Sequence, residues 1–371
     1  MIKPLTSFRF FAALAVFVSH LAYLSNFNET EWIFEKFFYE GYLGVTFFFI
    51  LSGFILTYNY YEKFNEINIE KIKVFYKARI ARIYPVYLLT FVIAIPLSIG
   101  GILKEPLNYL GVGIINLSML QSFIPVPSVY FSFNGPAWSI SVEMFFYVLF
   151  PFLIYFVMKK IKISKKMWLL LFICFVYVSG LILVWYMRDS ELSHWLFYIL
   201  PTFRILDFII GIIIALLFIR VKQTGLLIIN SFHFMTIMEV TAILLFILAF
   251  YFHENVHQTL RFWGYYQPIM ILIICVFAFQ KGYISKLLSN DRLIYLGEIS
   301  FSFYMIHQLV LRYATHLPII NSDPSVFILF TLLTSLIASH LIYKYYEIPF
   351  KVKINKVKIS PNQKKVNYVK V

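Results

Sequence analysis

The stretch LNYLGVGIINLSMLQSFIP, Leu107 to Pro125, decides the fold of this chain. It is apolar enough to enter a bilayer, yet it carries Gly111 and Gly113 and runs into Pro125 and Pro127. If it crosses, every later helix reverses direction, and KKIKISKK (Lys159 to Lys166) falls outside, against the bias that keeps Lys and Arg on the cytoplasmic side. If it does not cross, every basic cluster falls inside. We therefore read it as a re-entrant or interfacial segment, tolerated because protein or a wet cavity satisfies its backbone.

The rest of the chain is written for the same solvent. Of 371 residues, 61% are hydrophobic and 13% charged, and the mean hydropathy is +0.78, outside the range of a soluble domain this long. Apolar stretches lie near 4 to 24, 42 to 61, 78 to 99, 136 to 158, 167 to 187, 195 to 219, 236 to 252, 262 to 280, 293 to 315 and 325 to 346. Each approaches the roughly 20 residues that a helix needs to cross hydrocarbon. The expected fold is an all-α integral membrane protein of about ten transmembrane helices, both termini cytoplasmic. One domain covers residues 1–350, followed by a basic cytoplasmic tail over 351–371. No clean small-residue cleavage site follows the first apolar run, so it is expected to remain as the first span.

In this orientation the cytoplasmic side gathers Lys63, Lys71, Lys73, Lys77, the Lys159 to Lys166 cluster, Arg220, Lys222, Lys281, Lys286, Arg292 and the tail. The outer loops keep Lys36, Lys104, Arg188 and Arg261, with Glu29, Glu31, Glu35 and Glu40 in the first. Topology and anionic lipid thus account for the net charge of +14, and a nucleic-acid partner is not expected. Cys174 and Cys275 fall inside apolar runs and suggest neither a disulfide, a metal site nor redox chemistry.

Ionisable residues inside spans are costly, so each is a candidate for function. Arg9 lies one turn inside the first span, where snorkelling to the interface competes with a functional role. His20 is harder to dismiss, because at the rise of an α-helix it stands roughly 23 Å above Leu5. In GPAWSISVEMFFYVLFP (Gly135 to Pro151), Glu143 is expected about 9 Å below the outer surface, and in LGEISFSFYMIHQLVL (Leu296 to Leu311) His307 is expected about 21 Å up, with Tyr304 a turn beneath. His20, Glu143 and His307 therefore share one expected layer. A His beside a buried carboxylate is a general-base arrangement, and the competing account is a polar cluster that glues helices.

Arg79 and Arg82, three apart, face one side at the cytoplasmic mouth of the third span, a pairing that suits a phosphate as well as simple anchoring. Arg204 and Asp207 are spaced to pair with each other, and Glu347 is expected to lean on Arg79 or Arg82.

Six blocks in order give a resemblance: LTSFRFFAAL…SH with Arg9 and His20, GVTFFFILSGFIL, RIARIYPVYLL, AWSISVEMFFYVLFP, LGEISFSFYMIH and the closing YEIPF. Together they resemble membrane acyltransferase family 3, the integral-membrane O-acyltransferases of cell-surface carbohydrates, along essentially the whole chain. The resemblance implies a ten-helix core, acyl-CoA (acetyl-CoA in the commonest case) supplied from the cytoplasm, and a hydroxyl acceptor on an extracytoplasmic or lipid-linked glycan at the cell membrane. It implies Arg9, Arg79 and Arg82 on the donor side, with His20 and Glu143 at the chemistry. Two positions depart from the family pattern: Met144 stands where a second acidic residue is common, and Ile348 where a basic one is. No hydrolase-like domain follows, so transfer is expected to be completed by the membrane core or a separate partner.

The expected mechanism has His20 taking the acceptor proton, or carrying the acyl group, and Glu143 orienting it. Trp138, Ser139, Ser141, Tyr304 and His307 surround the acceptor. No metal is called for. A secondary transporter also shows broken helices and midplane charges, and is told apart by solute flux without acyl-CoA consumption.

Overall fold

Ten apolar helices stand where ten spans are expected in the computed structural model, which describes every residue except 27, 65, 161–165, 224–230, 319–322 and 356–371. They are α1 (Lys3–Ser19), α2 (Leu43–Tyr60), α3 (Ile69–Ala94), α4 (Ala137–Lys160), α5 (Lys166–Tyr186), α6 (Pro201–Gln223), α7 (Phe232–Tyr251), α8 (Gln267–Ala278), α9 (Asp291–Ala314) and α10 (Pro324–Ile342). No strand occurs among the described residues. Among the described residues, seven helical stretches are long and apolar enough to cross a membrane, and α3 with Pro96–Lys104, bent by 46°, makes an eighth. The chain is an all-α membrane protein. Its α1 and the apolar Leu170–Tyr186 part of α5 are shorter, α1 having 17 residues or about 26 Å, and α8 reaches spanning length only together with the short helix before it, as the stretch Gln258–Ala278.

Several expected spans are corrected at their ends, the first and third among them. The first stops at Ser19 instead of residue 24, because the Ser19 hydroxyl donates to the Val16 carbonyl at 2.8 Å and the His20 N–H closes a tight turn on Phe17 at 3.1 Å. His20 is thus the residue that caps α1. The third begins at Ile69 instead of 78, with Asn68 Oδ1 accepting from the N–H groups of Glu70 and Lys71 at 2.9 and 3.2 Å. It breaks where Pro96 supplies no N–H to continue it.

The deciding stretch does not cross. Pro106–Leu117 is a helix of 12 residues, about 18 Å and too short to span, and the chain then turns at Met119 (φ 56°). Beyond this turn the chain folds over the start of α4. Gln121 Nε2 donates to the Ala137 carbonyl at 3.1 Å, Ser122 Oγ to that of Trp138 at 2.7 Å, and Asn134 Nδ2 to that of Met305 at 2.9 Å. The N-terminus of α4 is therefore buried within protein, with Asn134, Ala137 and Trp138 all shielded.

Small residues let the central helices touch. Gly53 on α2 and Gly211 on α6 face each other so closely that a Cβ on either would strike the other helix's carbonyls, Phe208 O and Ile50 O. The expected Arg204–Asp207 pair forms at this crossing, 3.0 Å apart with both side chains wholly buried. Arg204 also donates to Thr46 Oγ1 at 2.7 Å and to the carbonyls of Phe197 and Phe262 at 3.3 and 3.1 Å, tying α2, α6 and the outer connections together. Of the basic clusters used for orientation, residues 161–165 and the tail from 356 lie outside the described residues.

Candidate active site

Two cavities enter the helix bundle from opposite ends. The outer one, about 560 Å³, lies where α1 ends and α2, α4 and the connection to α8 begin, and it is lined by His20, Tyr42, Trp138, Tyr198, Phe262 and Tyr304. Its rim adds Arg188, Asp189, Glu191, His194 and His257 from connections between spans. The inner one, about 640 Å³, lies where α1, α3 and α9 begin and α2 and α10 end. Arg9, Arg79, Arg82, Lys63 and Lys351 line it together with Glu143, Glu298 and Glu347. Val45 and Tyr304 border both cavities.

Arg9 and His20, ends of one helix, thus open into different cavities. Arg9 faces Arg82, Glu143 and Glu347, so it turns into the protein instead of snorkelling along lipid. Arg79 is buried, donates to the Tyr60 hydroxyl at 3.2 Å, and lies over the rings of Tyr60, Phe75 and Tyr147. Its Nε has no hydrogen-bond partner among the described residues, leaving a buried donor that an acceptor such as a phosphate oxygen would satisfy. Arg82 faces Glu143, Glu347 and Tyr147. Glu347 accepts from Ser302 Oγ at 2.8 Å and faces Arg82, Lys351 and Arg9; of the two partners expected for it, Arg82 is the one it meets.

The expected single layer of His20, Glu143 and His307 splits. His20 Nδ1 lies 2.9 Å from His307 Nε2, while Glu143 accepts from Ser52 Oγ at 3.2 Å and from the Tyr147 hydroxyl within the inner cavity. His20 is therefore partnered by a histidine and not by a carboxylate. The cause is the buried start of α4: Ala137 is not at the surface, so everything counted from it lies deeper. The level at which α4 meets α9 is set by Ser139 Oγ and the Tyr304 hydroxyl, 2.7 Å apart, and Glu143 is one turn further in.

The expected acceptor residues divide likewise. Trp138 lines the outer cavity, its ring 4.9 Å from that of Tyr198. Ser139 lines the inner cavity, and Tyr304 both. Ser141 lines neither cavity, because its hydroxyl donates to the Met119 carbonyl at 2.7 Å and is wholly buried. His307 is wholly buried behind His20 and also borders neither.

Several residues of the outer cavity were not singled out from sequence. Tyr39, Tyr42, Tyr198, His194 and His257 join it through folded connections, and burial pushes the His194 imidazole below its ordinary range. A signal existed in RDSELSHW (Arg188 to Trp195), where charges and aromatics crowd a short outer connection. Glu40, counted among the acidic residues of the first outer loop, is buried under Arg261 and the Tyr266 hydroxyl, which shores up the cavity wall.

This geometry can hold an anionic ligand at one end and a polar, ring-stacking one at the other. Comparison with known proteins gives the family. The chain is 29% identical over 349 residues to the acyltransferase MdmB of Streptomyces mycarofaciens, covering 85% of this chain and 80% of that protein. It is 24% identical over 364 residues to the O-acetyltransferase OatA of Staphylococcus aureus, and 22% identical over 369 to a putative O-acetyltransferase of strain COL. The chain spans 57% of the length of each of these two staphylococcal relatives. No solved structure matches it. The family model described as an acyltransferase domain, acyltransferase family 3, matches residues 4–344, and the chain belongs to that family.

Proposed function

We propose that this membrane acyltransferase moves an acyl group, acetyl in the simplest case, from cytoplasmic acyl-CoA to a hydroxyl of an extracytoplasmic or lipid-linked glycan. The observation that carries the reading is the pair of cavities meeting at Val45 and Tyr304, cationic on the inner side and carrying His20 on the outer. The donor's phosphates meet Arg79, Arg82, Lys63 and Lys351, and its acyl arm points toward Tyr304. The acceptor sugar lies against Trp138, Tyr42 and Tyr198, aromatic faces that suit the C–H faces of a pyranose, with Asp189 and Glu191 at the rim to accept hydroxyl hydrogen bonds.

In the step itself, His20 takes the acceptor hydroxyl proton as the oxygen attacks the acyl carbonyl. The C–S bond then breaks, and the sulfur leaves as a thiol with the proton returned by His20. Glu143 works from the donor side, holding Arg9 and Arg82 in place and keeping the buried cations balanced.

The test uses the purified protein in nanodiscs, with acetyl-CoA and a soluble oligosaccharide acceptor, scored by thiol release and by mass spectrometry of the sugar. Wild type is expected to give an acetylated sugar and His20→Ala to give none while still binding CoA. Normal turnover by His20→Ala, or no acyl-CoA consumption by wild type, overturns the reading.

A further inference from the structure

His20 and His307 meet nitrogen to nitrogen, and only one arrangement of their protons leaves a base in the outer cavity. We infer that His307 is a positioning residue that holds His20 with its proton on Nδ1, so that Nε2 carries the free lone pair. The inference rests on the reading of His20 as the base.

The proton order is set from the innermost group, a carbonyl. His307 Nδ1 lies 3.3 Å from the Phe303 carbonyl oxygen, which only accepts, so this nitrogen bears the proton. In a neutral imidazole the other nitrogen, Nε2, is then an acceptor. It lies 2.9 Å from His20 Nδ1, which must therefore donate. By elimination His20 Nε2 is unprotonated. The reverse arrangement would set the lone pair of His307 Nδ1 against the lone pairs of the Phe303 oxygen, with nothing in the described surroundings to offset it.

Packing fixes the His307 ring for this task. It stacks on Phe303 with ring centres 6.1 Å apart at 19°, and Phe17 meets it edge-on at 6.2 Å. His307 is wholly buried, while His20 lines the outer cavity. When His20 Nε2 accepts the hydroxyl proton, its Nδ1–H stays donated to His307, and the proton leaves again from Nε2 to the departing sulfur. His307 thus touches no substrate and gains no proton over the cycle. It does the orienting work that a carboxylate does in other histidine-based sites, here with no buried negative charge.

The decisive measurement is the tautomer, read by NMR of the full-length protein labelled with ¹⁵N-histidine in nanodiscs and assigned by the signals lost in His20→Ala and His307→Leu. Wild-type His20 is expected as the Nδ1–H form, and an Nε2–H form overturns the inference whatever the variants do. In parallel, acetyl-CoA turnover with a soluble oligosaccharide acceptor is expected to fall on the order of 10²- to 10⁴-fold in kcat for His307→Leu, the scale set by losing a base's tautomer, with the KM for acetyl-CoA unchanged. His307→Gln, whose amide oxygen accepts from Nδ1–H, is expected to restore most of that loss. Wild-type kcat in His307→Leu overturns the positioning role, and if His20→Ala also turns over normally, it is the base assignment itself that falls.

Discussion

The Tyr304 hydroxyl lies 2.7 Å from Ser139 Oγ, and this one contact joins α9 to α4 where the inner and outer cavities come closest. Both hydroxyls also reach the Pro136 carbonyl, Ser139 at 2.9 Å and Tyr304 at 3.3 Å, so the joint is anchored to the chain that roofs α4. Tyr304→Ala is expected to merge the cavities and let water reach the thioester. Acceptor-independent thiol release from acetyl-CoA should rise about tenfold relative to transfer, since excluding water is what prevents such side reactions. Tyr304→Phe, which keeps the bulk, should not show the leak. Equal hydrolysis in both variants would remove the barrier role.

On the donor side, Arg79 and Arg82 are expected to act in binding more than in the chemical step. Each Arg→Ala change should weaken CoA affinity by about 10- to 100-fold, the range for a lost charge-assisted hydrogen bond. Isothermal titration with CoA checks this, and acceptor KM should stay within about twofold. Unchanged CoA affinity in both variants would take the phosphates elsewhere.

For stability, the sensitive point is the buried Arg204–Asp207 pair. Asp207→Ala leaves a guanidinium uncompensated inside the bundle and is expected to destabilise by about 3–5 kcal/mol, the usual consequence of removing one partner of a buried pair. Thermal unfolding followed by size-exclusion fluorescence would show it as a large drop in Tm. Replacing Arg204 by Met and Asp207 by Leu together should recover part of the drop, and a double variant worse than Asp207→Ala would contradict this account of the pair.

A pH effect arises from His194, which lines the outer cavity outside the spans and is pushed below its ordinary range by burial. The unfolded chain holds that proton more readily, so its contribution favours folding at higher pH and is lost as pH falls below about 6.5 toward the folded value. His194→Gln is expected to flatten this part of the Tm–pH curve. An unaltered slope would show that His194 stays solvated.

The spans were legible in the sequence because hydropathy and lysine placement are properties of single helices read against lipid. Lys159 and its neighbours were enough to exclude a crossing at Leu107 to Pro125. The site was legible only in part. His20, Arg9, Arg79 and Arg82 stand out as charges in apolar surroundings, but the depth of Glu143 depended on where α4 starts. That start is set by Gln121, Ser122 and Asn134 reaching across to carbonyls, tertiary contacts with no local signature. The partner of His20 was missed for the same reason: equal depth does not say which two of three helices touch, and α1 packs on α9 because Gly297 leaves room for the Thr6 carbonyl. Nothing local marks Glu40 for burial, because its partners, Arg261 and Tyr266, lie more than two hundred residues away.

The narrowness of the Val45 and Tyr304 layer has an electrical side. With solvent in both cavities, the membrane voltage would fall mainly across the layer of Val45 and Tyr304 that borders both, and each net charge crossing it would exchange about 2.3 kcal/mol per 100 mV with the field. In the proposed step the proton passes from the sugar hydroxyl to the leaving sulfur through His20, while the acyl group moves the other way. Both products of that step are neutral, so no net charge crosses the layer, and transfer by the proposed route is expected to run at the same rate whatever the voltage across the membrane.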